Sequence, residues 1–357
     1  MRLVELKCES FRSLSRIDFR PQPGINVIRG YNAQGKTTVL EALFFLATSR
    51  SHRTTVEKDL VQEGKEGFHA RALVQRHDRP VMLEANWWQG VKRFKVNGVP
   101  QTRMSDILGK ISVVMSSPED VVLVKGSGSQ RRQFLDMALS QVLPRYLNAL
   151  QQYRQVLRQR NQLLRNPHAE AALLDVWDEQ LATHGAVLIE ERTKYVEQLD
   201  KLARVAYAQI ANEERLELKY HPDVSNPALL GAVLRQVRNS DLQRGTTQRG
   251  PHRDDLEFIV AGRPARSFAS QGQQRTAALS VKLADVELIQ ARTGDFPLLL
   301  LDEVLSELDE KRAGRLFTHL QKGVQCFLTT ANMTNAIPSG GHPVAVYRIT
   351  GGRLEEE

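Results

Sequence analysis

The spacing of apolar and polar positions divides the chain into three stretches. In the first, apolar residues alternate with polar ones over 2–8 and 15–20, which predicts two strands joined by a turn around Arg12-Ser13. Residues 25–28, Ile-Asn-Val-Ile, form a short β-branched run suited to a buried strand. Residues 36–47 lack Gly and Pro and carry apolar side chains at helical spacing. A polar stretch, 49–66, predicts a loop. Runs at 68–75, 80–87 and 92–96 then read as short antiparallel strands, with turns at 77–79, Gln89-Gly90 and Asn97-Gly98. Trp87 and Trp88 are consecutive, so one faces the core and the other the opposite side. Residues 111–115 predict one more strand.

The second stretch starts near Ser116 and is helical from 129 to about 210. Leu143, Leu150, Leu157 and Leu164 are spaced by seven, as are Leu174, Leu181, Leu188, Tyr195 and Leu202. Asn166-Pro167 separates the two series and breaks the helix. This predicts a helical hairpin with a short coiled-coil-like seam, reaching about 30–45 Å at ~1.5 Å per residue. Residues 214–220 predict a strand and 227–239 a helix. Composition shifts at about 245 to Gly, Arg and polar residues, followed by a strand at 255–260. The last third alternates again: helix 273–292, strand 298–301, helix 309–320, strands 325–329 and 344–349. The pattern predicts an α/β domain of residues 1–115 and 245–357, split by a helical arm or lobe over 116–244.

Composition narrows this modestly. The 357 residues are 41% hydrophobic and 25% charged, ordinary for a globular protein. Lys and Arg exceed Asp and Glu by 49 to 41, which favours a polyanionic partner. Cys8 and Cys326 are far apart in strand-like runs, read as buried thiols in a reducing compartment. No apolar run reaches the ~20 residues of a membrane span. The N-terminus alternates and carries acid, unlike a signal peptide. The expectation is a cytoplasmic protein with no membrane partner.

Candidate chemistry centres on Gly30-Tyr31-Asn32-Ala33-Gln34-Gly35-Lys36-Thr37, followed by Thr38. Glycine, four residues, glycine, lysine and threonine between a strand and a helix is a phosphate-binding P-loop. The glycines bring backbone N–H groups close to an anion, and the helix N-terminus adds positive potential. Lys36 supplies a charge for the β- and γ-phosphates, and the Thr37 hydroxyl can ligate Mg²⁺. Residues 298–303, Leu-Leu-Leu-Leu-Asp-Glu, read as a buried strand ending in two acids, at the end where such sheets bind ligands. Asp302 is expected to hold Mg²⁺ through water and Glu303 to polarise the attacking water. Ser270-Gln271-Gly272-Gln273 precedes the 273–292 helix, whose first amides Ser270 can cap.

P-loop, helical insertion, S-x-G-Q, Asp-Glu and S-x-L-D in that order resemble the ATP-binding-cassette heads of the SMC family. Phe11-Arg12-Ser13, Pro118-Glu119-Asp120, the 126–136 segment and Gly250-Pro251-His252-Arg253-Asp254-Asp255 resemble the RecF family of bacterial recombination mediators, over residues 2–350. The resemblance implies ATP and Mg²⁺ as cofactors and a weak, DNA-stimulated ATPase. It implies a head-to-tail homodimer in which the P-loop and Asp302-Glu303 of one copy face Ser270-Gln271-Gly272-Gln273 of the other, with Asp309 near the interface. It also implies work with RecR and RecO to bring RecA to gapped DNA in repair and replication recovery.

The signature reads S-Q-G-Q rather than S-G-G-Q, so Gln271 alters the γ-phosphate contact. Where transporters have a histidine this chain has Thr329-Thr330-Ala331-Asn332, with Thr330 or Asn332 as substitutes; the Q-loop glutamine stays unassigned. No base-reading module is visible, so the DNA contact expected is to duplex backbone, without sequence preference. The candidates are Arg131, Arg132, Arg154, Arg158, Arg160, Arg165, Arg235, Arg238, Arg244, Arg249 and Arg253. His52-Arg53 and His252-Arg253 read as interface, packing or nucleotide-proximal residues. The competing readings are a transporter's nucleotide-binding subunit, which the helical insertion opposes, and a non-hydrolysing DNA clamp or scaffold.

Overall fold

A computed structural model describes the chain apart from residues 78, 167–170, 212–213, 308–309, 321–322 and 332–340. Asp309, Asn332 and the break at Pro167 therefore lie outside the described residues. Two compact units emerge: Met1–Asp120 with Val205–Glu213 and Ala278–Glu357, and Val121–Arg204 with Glu214–Ala277.

The first unit holds two six-stranded sheets. One is ordered Arg353–Glu356, Val344–Thr350, Ile25–Arg29, Cys326–Thr330, Leu298–Leu301, Val113–Ser116, and is parallel except at its Arg353–Glu356 edge. All residues of Leu298–Leu301 and Cys326–Thr330 are buried, which is why Leu298–Leu301 reads as an unbroken apolar run. Each of those leucines contributes about 1.5–3 kcal/mol by burial. The other sheet is antiparallel, ordered Leu14–Phe19, Arg2–Phe11, Gly67–Arg76, Arg79–Trp88, Val91–Val96, Val99–Gln101. Trp87 is 8% and Trp88 58% exposed, the split that strand alternation requires. Cys8 and Cys326 are both buried and free.

The P-loop helix, Lys36–Thr48, has eleven of thirteen residues buried because it shares one apolar core with both sheets. Phe45 and Phe11 each meet Phe68 edge-on. The polar stretch 49–66 is more fixed than its composition implies. It contains a short helical turn, Glu57–Leu60, whose buried Leu60 accepts the Arg12 N–H through its carbonyl at 2.8 Å.

The second unit contains the helices Gly128–Val142, Pro144–Leu164 and Leu230–Arg244, and most of Ala171–Ala211. Leu150, Leu164, Leu174, Leu181, Leu188 and Tyr195 of the sevenfold series are buried, whereas Leu143, Leu157 and Leu202 are only half-buried. The helical run breaks once more than expected, at Leu143, because Pro144 starts a new helix and has no N–H to continue the old one. A three-stranded antiparallel sheet, Arg263–Pro264, Asp255–Val260, Leu216–His221, completes the unit. This pairing places residues 245–277 in the second unit, whereas the sequence pattern grouped them with the α/β segments.

Charge is buried in this unit. The Arg160 side chain is fully buried and bonds Asp178 at 2.6 Å, Asp241 at 2.7 Å and Thr247 at 2.8 Å. Arg192 bonds Asp136 and Asp254, each at 2.8 Å, and the Tyr146 hydroxyl at 2.9 Å. Arg131 grips Asp255 through two bonds, Arg154 pairs with Asp136, Arg238 with Asp175 and Asp178, and Arg249 with Asp223. Five of the eleven candidate phosphate-binding arginines thus have carboxylate partners inside their own unit. Arg132 is a sixth tied inward, donating to the Asp254 carbonyl at 2.7 Å.

Candidate functional site

The parallel strands end side by side, so residues following Arg29, Leu301 and Thr330 meet at one edge of the sheet. Gly30 is small because the chain passes close to its neighbour: a Cβ there would sit 2.5 Å from the Ile349 carbonyl oxygen. Ala33 and Gly35 take positive φ, 65° and 106°, which turns the loop amides inward before the helix begins. Gln34 accepts the Gly351 N–H at 2.6 Å, tying the loop to the hairpin after Val344–Thr350.

Lys36 reaches back over the loop. Its Nζ donates to the Gly30 carbonyl at 2.8 Å and the Tyr31 carbonyl at 3.2 Å, and lies 3.1 Å from Glu303 Oε1. The Thr37 hydroxyl donates to Asp302 Oδ1 at 2.8 Å. Thr329 donates to the same oxygen at 2.6 Å and accepts the Glu303 N–H at 2.9 Å. Glu303 has φ of 51°, an uncommon conformation for a residue with a side chain, and its Oε2 accepts the Ala331 N–H at 3.2 Å. The structure thus brings Lys36, Thr37, Asp302 and Glu303 together, from positions some 265 residues apart in sequence.

A cavity of about 730 Å³ opens over this group. It is lined by the expected Asn32, Ala33, Gly35, Lys36, Thr37, Thr38 and Glu303. Arg12, Ser13, Arg53, Ser306 and Ala331 also line it. Arg12-Ser13 and Ser306 lay inside motifs noted in the sequence, but nothing in their spacing tied them to the cavity. Thr329 stands where the sequence showed only a missing histidine. His52 packs edge-on against Phe44, and burial holds its pKa below the ordinary value despite nearby carboxylates.

Loop amides at a helix N-terminus, one lysine and a threonine beside an aspartate are the groups that can cradle phosphates and a cation. The donor set, a hydroxyl and a carboxylate oxygen, suits Mg²⁺, a hard cation that keeps several waters. Among the described residues no cluster of three or more His, Cys, Asp or Glu could hold a metal alone. Ser270-Gln271-Gly272-Gln273 belongs to the second unit. Ser270 and Gln273 exchange capping bonds, 2.7 Å from the Ser270 N–H and 3.2 Å from the Gln273 N–H, and Gln273 also donates to Glu214 at 2.8 Å. Ser270, Gln271 and Gly272 are exposed, beside a Phe268 that is 65% exposed.

The model of the RecF/RecN/SMC N terminal domain family matches residues 2–351. The DNA replication and repair protein RecF of Oceanobacillus iheyensis is 39% identical over 366 residues, covering 99% of each chain. That of Symbiobacterium thermophilum is 42% identical over 345 residues, covering 93% of this chain and 92% of its own. A solved structure of the recombination mediator protein RecF with ATP, in the RecFOR pathway, superposes with a TM-score of 0.91 at 34% identity, covering 100% of this chain and 97% of its own. An Smc head domain from Pyrococcus furiosus, with a TM-score of 0.60 at 15% identity over 100% of this chain and 96% of its own, shares the fold alone.

Proposed function

The chain belongs to the RecF family of DNA replication and repair proteins, with an ABC-type, SMC-like head fold and a helical insertion, and from that premise we propose an ATP-driven DNA clamp. The observation that carries this reading is the convergence of Lys36, Thr37, Asp302 and Glu303 on one cavity.

ATP lies with its phosphates on the Gly30–Thr38 loop. Lys36 neutralises the β- and γ-phosphates; Thr37 and Asp302 would hold Mg²⁺, which would offset charge developing on the phosphates. Glu303 orients and polarises the attacking water. Phosphoryl transfer to water is slow and DNA-stimulated. Ser270, Gln271, Gly272 and Gln273 of a second copy close over the γ-phosphate, so ATP holds a head-to-tail homodimer together and hydrolysis releases it. Exposure of the signature and of Phe268 supports docking of this kind.

DNA is held by its phosphates, through arginines that meet no carboxylate among the described residues: exposed Arg158, Arg165, Arg235, Arg244 and Arg253. The two compact units act as ATPase head and DNA-holding lobe. Partnership with RecR and RecO in delivering RecA, and a cytoplasmic location, complete the reading. Among the described residues no helix is long and apolar enough to cross a membrane.

Sedimentation velocity on the Glu303→Gln variant with Mg-ATP or Mg-ADP and a labelled duplex tests the proposal. The expected result is a duplex-bearing dimer with ATP and a DNA-free monomer with ADP. A monomer under both conditions rules out the shared site.

A further inference from the structure

A carboxylate taken wholly out of water has to be paired, because its desolvation costs several kcal/mol. Glu41 is such a group. Its side chain is fully buried, in the P-loop helix, four residues beyond Thr37 and so on the same helix face. Three groups converge on it, none from its own helix. Arg12 donates to it through Nη2 at 2.7 Å and brings Nε into ionic contact with its other oxygen. The Ser51 hydroxyl donates to it. Arg53 Nη1 stands 3.6 Å from it.

Each partner is itself committed elsewhere. Arg12 sits at φ 50° in the turn after the first strand, and the neighbouring Ser13 bonds Thr38 at 3.2 Å. Ser51 Oγ accepts the N–H groups of Arg53 at 2.9 Å and Thr54 at 3.1 Å, which fixes the loop that carries Arg53. Both arginines line the phosphate cavity, with side chains 19% and 43% exposed. One carboxylate facing two guanidiniums leaves a net positive charge at the cavity rim. A charge-assisted hydrogen bond from Arg12 Nη2, with Nε in ionic contact beside it, also restrains the guanidinium in a way that water around a solvated arginine does not.

We infer that Glu41 is a positioning residue. Its buried carboxylate holds Arg12 directly, and the 51–54 loop with Arg53 through Ser51, at the rim of the cavity where phosphates bind. This rests on the nucleotide reading above. Occupancy of the cavity and order in the 51–54 loop are thereby one linked event: phosphates that draw on the arginines load the same carboxylate that anchors the loop.

The test is a double-mutant cycle on the full chain, with Mg-ADP and a non-hydrolysable Mg-ATP analogue as probes in calorimetry. Glu41→Gln should weaken binding of both about tenfold, the scale of one charge-assisted hydrogen bond. Arg12→Ala should do the same, and the double variant should be no worse than either single one. Additive losses, or tighter binding by Glu41→Gln, overturn the inference, the second because neutralising a competing acid would then outweigh positioning. Should Glu41→Gln fail to fold, Ser51→Ala leaves the ion pair intact. In the wild type, nucleotide should slow tryptic cleavage after Arg53, and in Ser51→Ala it should not; equal protection in both overturns the inference. Wild-type chain that binds neither nucleotide refutes the function itself, whereas normal binding with an inert Glu41→Gln refutes only the role of Glu41.

Discussion

Two regions of this molecule concentrate charge, to opposite ends. Around the P-loop, Lys36 faces Glu303 and Thr37 faces Asp302 at the floor of an open cavity. Each of those contacts occupies a group that phosphates, a cation or water could use. In the helical unit, Arg160 and Arg192 each meet two aspartates with water excluded. There the contacts are permanent, since no ligand could replace a buried partner. An ion pair at a cavity floor stores exchangeable charge; a buried ion pair fixes which helices meet.

The largest test of this contrast is Arg160→Ala. It leaves Asp178 and Asp241 buried without their main cation and should cost about 3–5 kcal/mol in urea unfolding. A loss below about 1 kcal/mol would mean water reaches these carboxylates. Lys36→Ala should be the converse. Nucleotide binding should fall at least about a hundredfold, as when a single preorganised donor is removed. Its unfolding free energy should stay within about 1 kcal/mol, because Glu303, 25% exposed, can turn to water. Glu303→Gln sharpens the idea of exchangeable charge. With its partner neutral, Lys36 no longer chooses between carboxylate and phosphate, so Mg-ADP should bind about threefold tighter, a fraction of one ion pair's worth. Unchanged or weaker ADP binding would show that the pair does not compete.

The smallest effect is one of pH. His252 accepts from the Tyr153 hydroxyl at 2.6 Å and donates to the Thr247 carbonyl at 3.0 Å, so it is neutral in the fold. Burial pushes its pKa down to about 4 from an ordinary 6.5, outweighing the Thr247 bond and Asp223, which raise it. Between those values the unfolded chain takes a proton that the folded one refuses. Stability is therefore complete above 6.5 and declines as pH falls towards 4. His252→Asn should flatten that slope in thermal scans from pH 7 to 4; an unaltered slope would place the titrating group elsewhere.

The exchangeable region was legible in sequence and the permanent one was not. A strand, a glycine loop and a helix within 25–47, and four leucines before two acids, are local signals whose chemistry fixes their spacing. Arg160 meets its partners across 18, 81 and 87 residues, and no periodicity announces such pairs. Arg160 therefore looked like surface charge awaiting DNA. Residues 245–277 were misgrouped for a related reason: Asp255–Val260 reads as a strand, but nothing local says that its neighbour is Leu216–His221. Glu41 was invisible because an acid inside an apolar helix resembles any solvated position until Arg12 and Ser51 are seen to close on it.

The left-handed backbone of Glu303 has a consequence for anyone selecting hardier versions of this protein. An L side chain held there costs about 1–3 kcal/mol, a cost glycine at that position would not carry. A screen that rewards heat resistance alone should therefore enrich Glu303→Gly and return a sturdier molecule without the acid that we propose polarises the attacking water. Survival and turnover pull in opposite directions at this one codon, so a breeding scheme must score both to keep it.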